Sequence, residues 1–379
     1  MAFDRREFLA ASLSATLASL SRKAARAQAT EEAFEDGQLG IPGPYPGRVI
    51  AVHHPDSIAS GGYQPEPVEQ MIDRGMCELT GVDNAPDAWS QFFAPGDVVG
   101  IKLNPVGMPH VISAPEVLHP IVRALEQVGI PRRDIVAYDR YGQQFQRAGF
   151  VDWLPNGVRW TSGSPTMPEI QLDMGGYDRD VYMEMPLVHP DYASDYDLSD
   201  PHVRRSYVAK FLSREVNKVI NLCVMKHHQS AGVTLALKNM SHGLVNNVSR
   251  SHVSPTANAC GIFIPAVVDL PVIREKLVLH ILDGVKAAYH GGPGSSVGRY
   301  MWEHKTMYFA TDPVALDKTG WKAIDKKRAA VGRPPIALLK PDQDSRWLNA
   351  QVEHIELASN FGLGVFDDDR IRLKRIDLG

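Results

Sequence analysis

The sequence predicts an α/β fold, a parallel or mixed sheet with helices on its faces. Three observations carry this. Short β-branched apolar runs recur along the chain. Each ends in polar residues. Stretches of helical periodicity lie between several of them. The runs are Val49–Val52 before His53-His54, Val98–Ile101 before Lys102, and Ile135–Tyr138 before Asp139-Arg140. Val219–Met225 then precedes Lys226-His227-His228, Leu277–Leu282 precedes Asp283-Gly284, and Met307–Ala310 precedes Thr311-Asp312. Near-continuous apolar character over such short lengths suits strands covered on both faces.

The helices follow from spacing. Between Ala114 and Val128, the residues Val117, Leu118, Ile121, Leu125 and Val128 recur at intervals of one, three and four, with Pro115 in the first turn and Gly129 as a stop. A second helix is expected from Pro313 to Ala330, where Asp312 provides the cap. Pro67–Leu79 and Trp347–Asn360 show the same periodicity. Two segments lack it. The stretch from Thr161 to Pro201, rich in Asp, Tyr, Met, Gly and Pro, reads as a long surface insertion. The connection Met240–Pro265 reads as loop-rich.

The first 29 residues have a different character. Asp4-Arg5-Arg6-Glu7-Phe8-Leu9 is followed by a weakly apolar run to Leu20 and by Ala25-Arg26-Ala27 or Ala27-Gln28-Ala29. This is the layout of a twin-arginine export signal, with the translocase as its partner and the periplasm or exterior as its destination. The expected organisation is therefore a signal over 1–29, the N-terminal part of the α/β domain over 30–96, and the remaining domain over 97–375. That last part carries the insertion at 161–201. The chain has a formal net charge of -4. The signal carries Arg5, Arg6, Arg22, Lys23 and Arg26 against Asp4 and Glu7, so the mature chain falls to -7. A mildly acidic protein lacks the electrostatic footprint of a nucleic-acid binder. No apolar run after the signal is long enough for a transmembrane helix. Cys77, Cys223 and Cys260 contain no Cys-x-x-Cys pair, which argues against a disulfide framework and against a cysteine-ligated iron–sulfur cluster.

In open α/β sheets, ligands bind beyond the carboxyl ends of the strands. The polar strand ends therefore become candidates, and the densest segment is Lys226–Gly243. Lys238 and His242 are four apart, so a helix would place them on one face. His227 and His228 would point to opposite sides of a strand. Lysines with an Asn and a His suit a phosphate or carboxylate. Histidines with an aspartate suit a divalent metal, but the spacing matches no closed metal signature, so anion binding ranks first. Asp283–Gly294 contributes a glycine-rich turn whose amides could approach an anion, without the Gly-Lys-Ser/Thr of a P-loop. No Gly-x-Ser-x-Gly elbow supports a serine hydrolase.

Several of these residues form an ordered set. Ile101-Lys102-Leu103-Asn104-Pro105, the Lys226–Asn239 segment, Leu282-Asp283-Gly284 with Gly291-Gly292-Pro293, Asp312-Pro313-Val314-Ala315-Leu316-Asp317, and Ala358–Gly364 follow one another. Together they resemble the signature segments of DUF362, a family of unknown function. Leu103 stands where that family usually has Pro. The resemblance covers most of 97–375 and implies an α/β domain without an assigned reaction. Many relatives carry a ferredoxin-like module, whose cysteines this chain lacks.

The expected function is an exported enzyme acting on a small anionic substrate. Lys102, Asn104, Lys226, Lys238, Asn239, Gly291 and Gly292 would bind it, and His228, His242 and Asp283 would act in catalysis. His228, His242, Asp139 and Asp283 are the candidate ligands if a metal is present. The alternative is a noncatalytic periplasmic ligand- or metal-binding protein using the same pocket.

Overall fold

A computed structural model describes residues 38–379, apart from 169, 194–195, 255, 344–346 and 349. The twin-arginine segment lies outside the described residues. The main elements, in chain order, are β1 (Arg48–His53), α1 (Pro65–Thr80), β2 (Val99–Lys102), α2 (Pro115–Gln127), β3 (Ile135–Tyr141) and β4 (Arg159–Ser164). They continue with β5 (Lys218–His228), β6 (Gly232–Thr234), α3 (Ala236–Leu244), α4 (Cys260–Val268), β7 (Leu277–Ala288), β8 (Met301–Ala310), α5 (Pro313–Ala330), α6 (His354–Asn360) and β9 (Arg372–Asp377).

Among the described residues these strands form one nine-stranded sheet, in the order β9-β1-β8-β7-β5-β2-β3-β4, with β6 folded back on β5. The pairs β7–β5, β5–β2, β2–β3, β3–β4 and β1–β9 are parallel, whereas β8 runs antiparallel to both β1 and β7. It follows that β2, β3, β5 and β7 all point their carboxyl ends the same way. One apolar layer, including Val68, Met71, Ile72, Val117, Leu118 and Ile121 of α1 and α2, packs on Ile101, Ile220 and Ile281. The other layer joins Leu237, Met240, Phe263, Ile264, Leu316 and Ile355 to Cys223, Met225 and Leu282. Alternation along β5 and β7 thus sends successive side chains into different layers.

Asp312, at the N-cap of α5, and Asp317, within it, are structural anchors. Asp312 caps α5 through Oδ1, which accepts from the amides of Val314 and Ala315 at 2.9 Å. Its Oδ2 accepts from the amides of Gly47 and Val365 at 2.8 Å, tying both ends of the domain to this helix start. Asp317 accepts from the amides of Ala236 and Leu237 at 2.7 and 2.9 Å. It therefore caps α3 from a neighbouring helix, because Leu235 at the N-cap has no side-chain acceptor.

Three local expectations change. Thr161–Ser164 complete edge strand β4, and Tyr177–Glu184 pairs antiparallel with Arg205–Ala209, so the insertion is partly ordered as a ribbon. Met240–Pro265 contains the end of α3 and the start of α4, whose Pro265 is inside the helix. Among the described residues of the Trp347–Asn360 stretch, His354–Asn360 alone is helical.

Candidate functional site

The carboxyl ends of β2, β3 and β5 meet the N-terminal part of α3 in a buried polar network. Lys102 Nζ lies 2.6 Å from Asp139 Oδ1 and 3.5 Å from Asn239 Oδ1. Asn104 Nδ2 donates to the same Asn239 oxygen at 3.0 Å, and Asn239 Nδ2 donates to Asn221 Oδ1 at 2.8 Å. Gly243 makes this approach feasible: a Cβ there would sit 2.2 Å from Lys102 Cε. Lys226 Nζ donates to Asn104 Oδ1 at 2.7 Å, to the Val106 carbonyl, and to the Val111 carbonyl at 3.4 Å. Burial, reinforced by the charges of Lys102 and Lys238, lowers its pKa to about 7.

Two of the expected anion-binding lysines are therefore committed internally. Lys102 is neutralised by Asp139, and Lys226 is wrapped by neutral oxygens. The same ion pair occupies Asp139, which was expected as a candidate metal ligand. Asn104 and Asn239 link the two lysines and serve the network.

Lys238 is different. It is only 7% exposed, yet its ammonium has no hydrogen bond or ion pair among the described residues. Burial lowers its pKa to about 8, with the Arg140 charge acting in the same direction and Cys260 opposing it. Arg140, on β3 beside Asp139, stacks over the Tyr141 ring at 4.3 Å, and its Nη1 is buried with no hydrogen-bond partner among the described residues. Both cations depress the basicity of His242 and His252 after burial itself, and α3, which carries Lys238, packs against β3, which carries Arg140. Burial also lowers the pKa of His228, with Lys238 as the next cause.

Burial favours the neutral form of these histidines, and backbone donors fix the tautomers of His228 and His227. His228 Nδ1 accepts from the amides of Ser230 and Ala231, each at 3.2 Å, which places its proton on Nε2. His228 is thus equipped to donate a hydrogen bond from Nε2 at neutral pH, not to abstract a proton through Nδ1. His242 Nδ1 lies 3.0 Å from Ser241 Oγ, and its Nε2 lies 3.0 Å from Ser251 Oγ. His227 turns the other way, accepting from the Gly292 amide at 3.3 Å and packing on His290, as expected for neighbours in a strand.

Two further expectations are corrected. Asp283 does not join His228 and His242. It follows Leu282, which packs in the α3 layer, and it pairs in register with Val224 and Met307. Its carboxyl points to the other layer, accepting from Tyr63 Oη at 3.0 Å and the Val285 amide at 3.0 Å, and burial raises its pKa to about 7. Gly291 and Gly292 serve packing. A Cβ on Gly292 would fall 1.7 Å from the His227 carbonyl oxygen, and one on Gly291 would fall 2.7 Å from the Tyr300 ring. The Gly292 amide is spent on His227 and is not presented to an anion.

Sequence reasoning missed Arg140, Ser251, His252 and Cys260. A ring nitrogen of His242, a ring nitrogen of His252 and the sulfur of Cys260 lie within 4.8 Å of one another. These residues come from three separate elements and share no motif spacing.

The family model for DUF362, a domain of unknown function, matches residues 99–322, more than half of the chain. The chain belongs to the DUF362 family. No curated protein matches it. A structure from Thermotoga maritima, solved as a structural-genomics target, is similar at 10% identity and a TM-score of 0.35. The match covers 59% of this chain and 51% of the other, so the chain spans about half the length of that protein. That likeness is too low to show a shared fold. The DUF362 segments Lys102–Asn104, Lys226–Asn239 and Asp312–Asp317 all fall at the polar network or at the cap of the helix that completes it. No helix among the described residues is long and apolar enough to cross a membrane.

Proposed function

We propose that this DUF362 protein is an exported enzyme whose small anionic substrate binds between Lys238 and Arg140, beyond the carboxyl ends of β3 and β5. The supporting observation is the pair of under-used cations: the largely buried Lys238, whose ammonium has no acceptor among the described residues, and a buried Arg140 guanidinium nitrogen without a partner among them. Partial burial of charged donors without a counter-charge is costly, and a carboxylate or phosphate would offset that cost. The guanidinium fork offers parallel hydrogen bonds, and the ammonium adds a point charge. His228 Nε2–H is a neutral donor suited to polarising a substrate oxygen.

Calorimetric titration with inorganic phosphate and with acetate tests this reading. Lys238→Met removes the charge and keeps most of the stem. It is expected to weaken the better-bound anion at least about tenfold, equivalent to about 1.4 kcal/mol. Equal affinity in Lys238→Met and the parent would refute it.

Export rests on Arg5-Arg6 with Phe8-Leu9. Replacing both arginines by lysine is expected to leave precursor in the cytoplasm, as read by cell fractionation. Unchanged export would remove the twin-arginine reading.

A further inference from the structure

We infer that His242, His252 and Cys260 form a three-ligand site for a borderline divalent metal of the zinc type. Its open position would face Lys238 and receive the anion of the proposed function. The inference rests on that reading for its ligand but not for its metal.

The donor set is the first argument. Two imidazole nitrogens and one sulfur converge within 4.8 Å, a span from which small side-chain adjustments reach the bond lengths of about 2.0–2.3 Å that zinc takes with nitrogen and sulfur. His and Cys together select zinc-like metals over calcium or magnesium, which take oxygen ligands.

The surroundings are the second argument. Ser251 Oγ lies 3.0 Å from His242 Nε2, 2.8 Å from His252 Nδ1 and 3.9 Å from Cys260 Sγ, so the hydroxyl occupies the middle of the three donors. It donates to the Val248 carbonyl at 2.7 Å. A hydroxyl there can rotate aside or remain as a weak oxygen ligand. Ser241 Oγ stands 3.0 Å behind His242 Nδ1 and 3.4 Å from the Lys238 carbonyl. It can accept a hydrogen bond from Nδ1–H and donate its own hydrogen to that carbonyl, which leaves Nε2 free to bind metal. Such outer hydrogen bonds orient metal-bound histidines. Ser230 Oγ, 3.7 Å from Cys260 Sγ, is placed to support a thiolate.

Charge gives the third argument. On binding, Cys260 loses its proton to solvent and coordinates as thiolate. A divalent ion with one thiolate and the Lys238 ammonium leaves two positive charges in a buried site. An exogenous anion on the open coordination position offsets them and gives Lys238 its missing partner. Three protein ligands with one open position is the pattern of catalytic rather than structural zinc sites.

Cobalt(II) is the probe. The full mature chain, freed of metal by chelator, is titrated with Co2+ and followed by absorbance. One equivalent is expected, with strong visible bands and a near-ultraviolet sulfur-to-cobalt charge-transfer band. Cys260→Ser should abolish the charge-transfer band, and His252→Ala should weaken cobalt binding at least about tenfold. Lys238→Met should keep the band. Circular dichroism and urea melts establish that each variant is folded. A parent protein without the charge-transfer band, or Cys260→Ser retaining it, overturns the metal site. Phosphate affinity unchanged in Lys238→Met, with the cobalt band present, would instead refute the anion reading alone.

Discussion

Replacing Lys102 by Met is expected to destabilise the domain by about 3–5 kcal/mol, because the Asp139 carboxylate would remain buried without its counter-ion. Both side chains are almost fully buried, at 2% and 6% exposure, and their 2.6 Å contact lies where β2 and β3 run side by side. Burial lowers the Lys102 pKa while Asp139 raises it back, so the pair depends on its geometry. Adding Asp139→Leu to the Lys102→Met chain removes the orphaned charge and should recover much of the loss. Urea denaturation of the parent, the single variant and the double variant makes the comparison. A single variant within about 1 kcal/mol of the parent would mean that Asp139 is solvated or otherwise satisfied, and the polar network would lose its central contact.

Acid is expected to unfold this protein over a narrow range below pH 6.5. Burial lowers the pKa of His252 and His280 to about 3 and of His304 and His354 to about 4, and it lowers His227, His228 and His242 as well. A depressed folded pKa contributes stability that is present above the unfolded value and is lost as pH falls toward the folded one. Three carboxyls work in the opposite sense. Burial raises Asp283 to about 7, Asp312 to about 6 and Asp317 to about 8, so their contribution is largest at low pH and declines as pH rises through those values. The histidines outnumber these aspartates, so the unfolded chain binds more protons between pH 6.5 and 4. Each uncompensated histidine then removes about 1.4 kcal/mol per pH unit. A few of them suffice to exhaust a typical stability of about 5–15 kcal/mol. The urea midpoint should therefore fall steeply from pH 6.5 to 5. A flat midpoint would show that the histidines are protonated in the folded chain.

Much of the sheet was legible because its central strands are continuous β-branched runs. Polar residues mark the ends of β2 and β5, but β7 runs past Asp283 to Ala288. Lys102 and Asp139 indeed mark carboxyl ends, on strands that run parallel. Strand β9 was not legible. Arg372-Leu373-Lys374-Arg375-Ile376-Asp377 is an edge strand with exposed charges, so it lacks the run that betrays a buried one. The division of labour among the lysines was hidden for a different reason. Nothing in the sequence distinguishes Lys226, wrapped by the carbonyls of Val106 and Val111, from Lys238, which reaches no acceptor among the described residues. Those carbonyls belong to a loop more than a hundred residues earlier. Likewise, strand periodicity separates His227 from His228, but it does not reveal that Asp283 turns toward Tyr63. Arg140 directly follows an apparent strand end, and the polarity of Asp139 masks it.

The central claim is that an anion belongs between Lys238 and Arg140. Crystals soaked in bromide and measured at the bromine absorption edge test it most directly. Bromide is a small anion without directional demands, so it reports where the protein leaves positive charge unmatched. The expected result is an anomalous peak within hydrogen-bonding reach of Lys238 Nζ and Arg140 Nη1, absent from Lys238→Met crystals. Bromide confined to surface arginines and lysines, with none beside Lys238, would contradict the account.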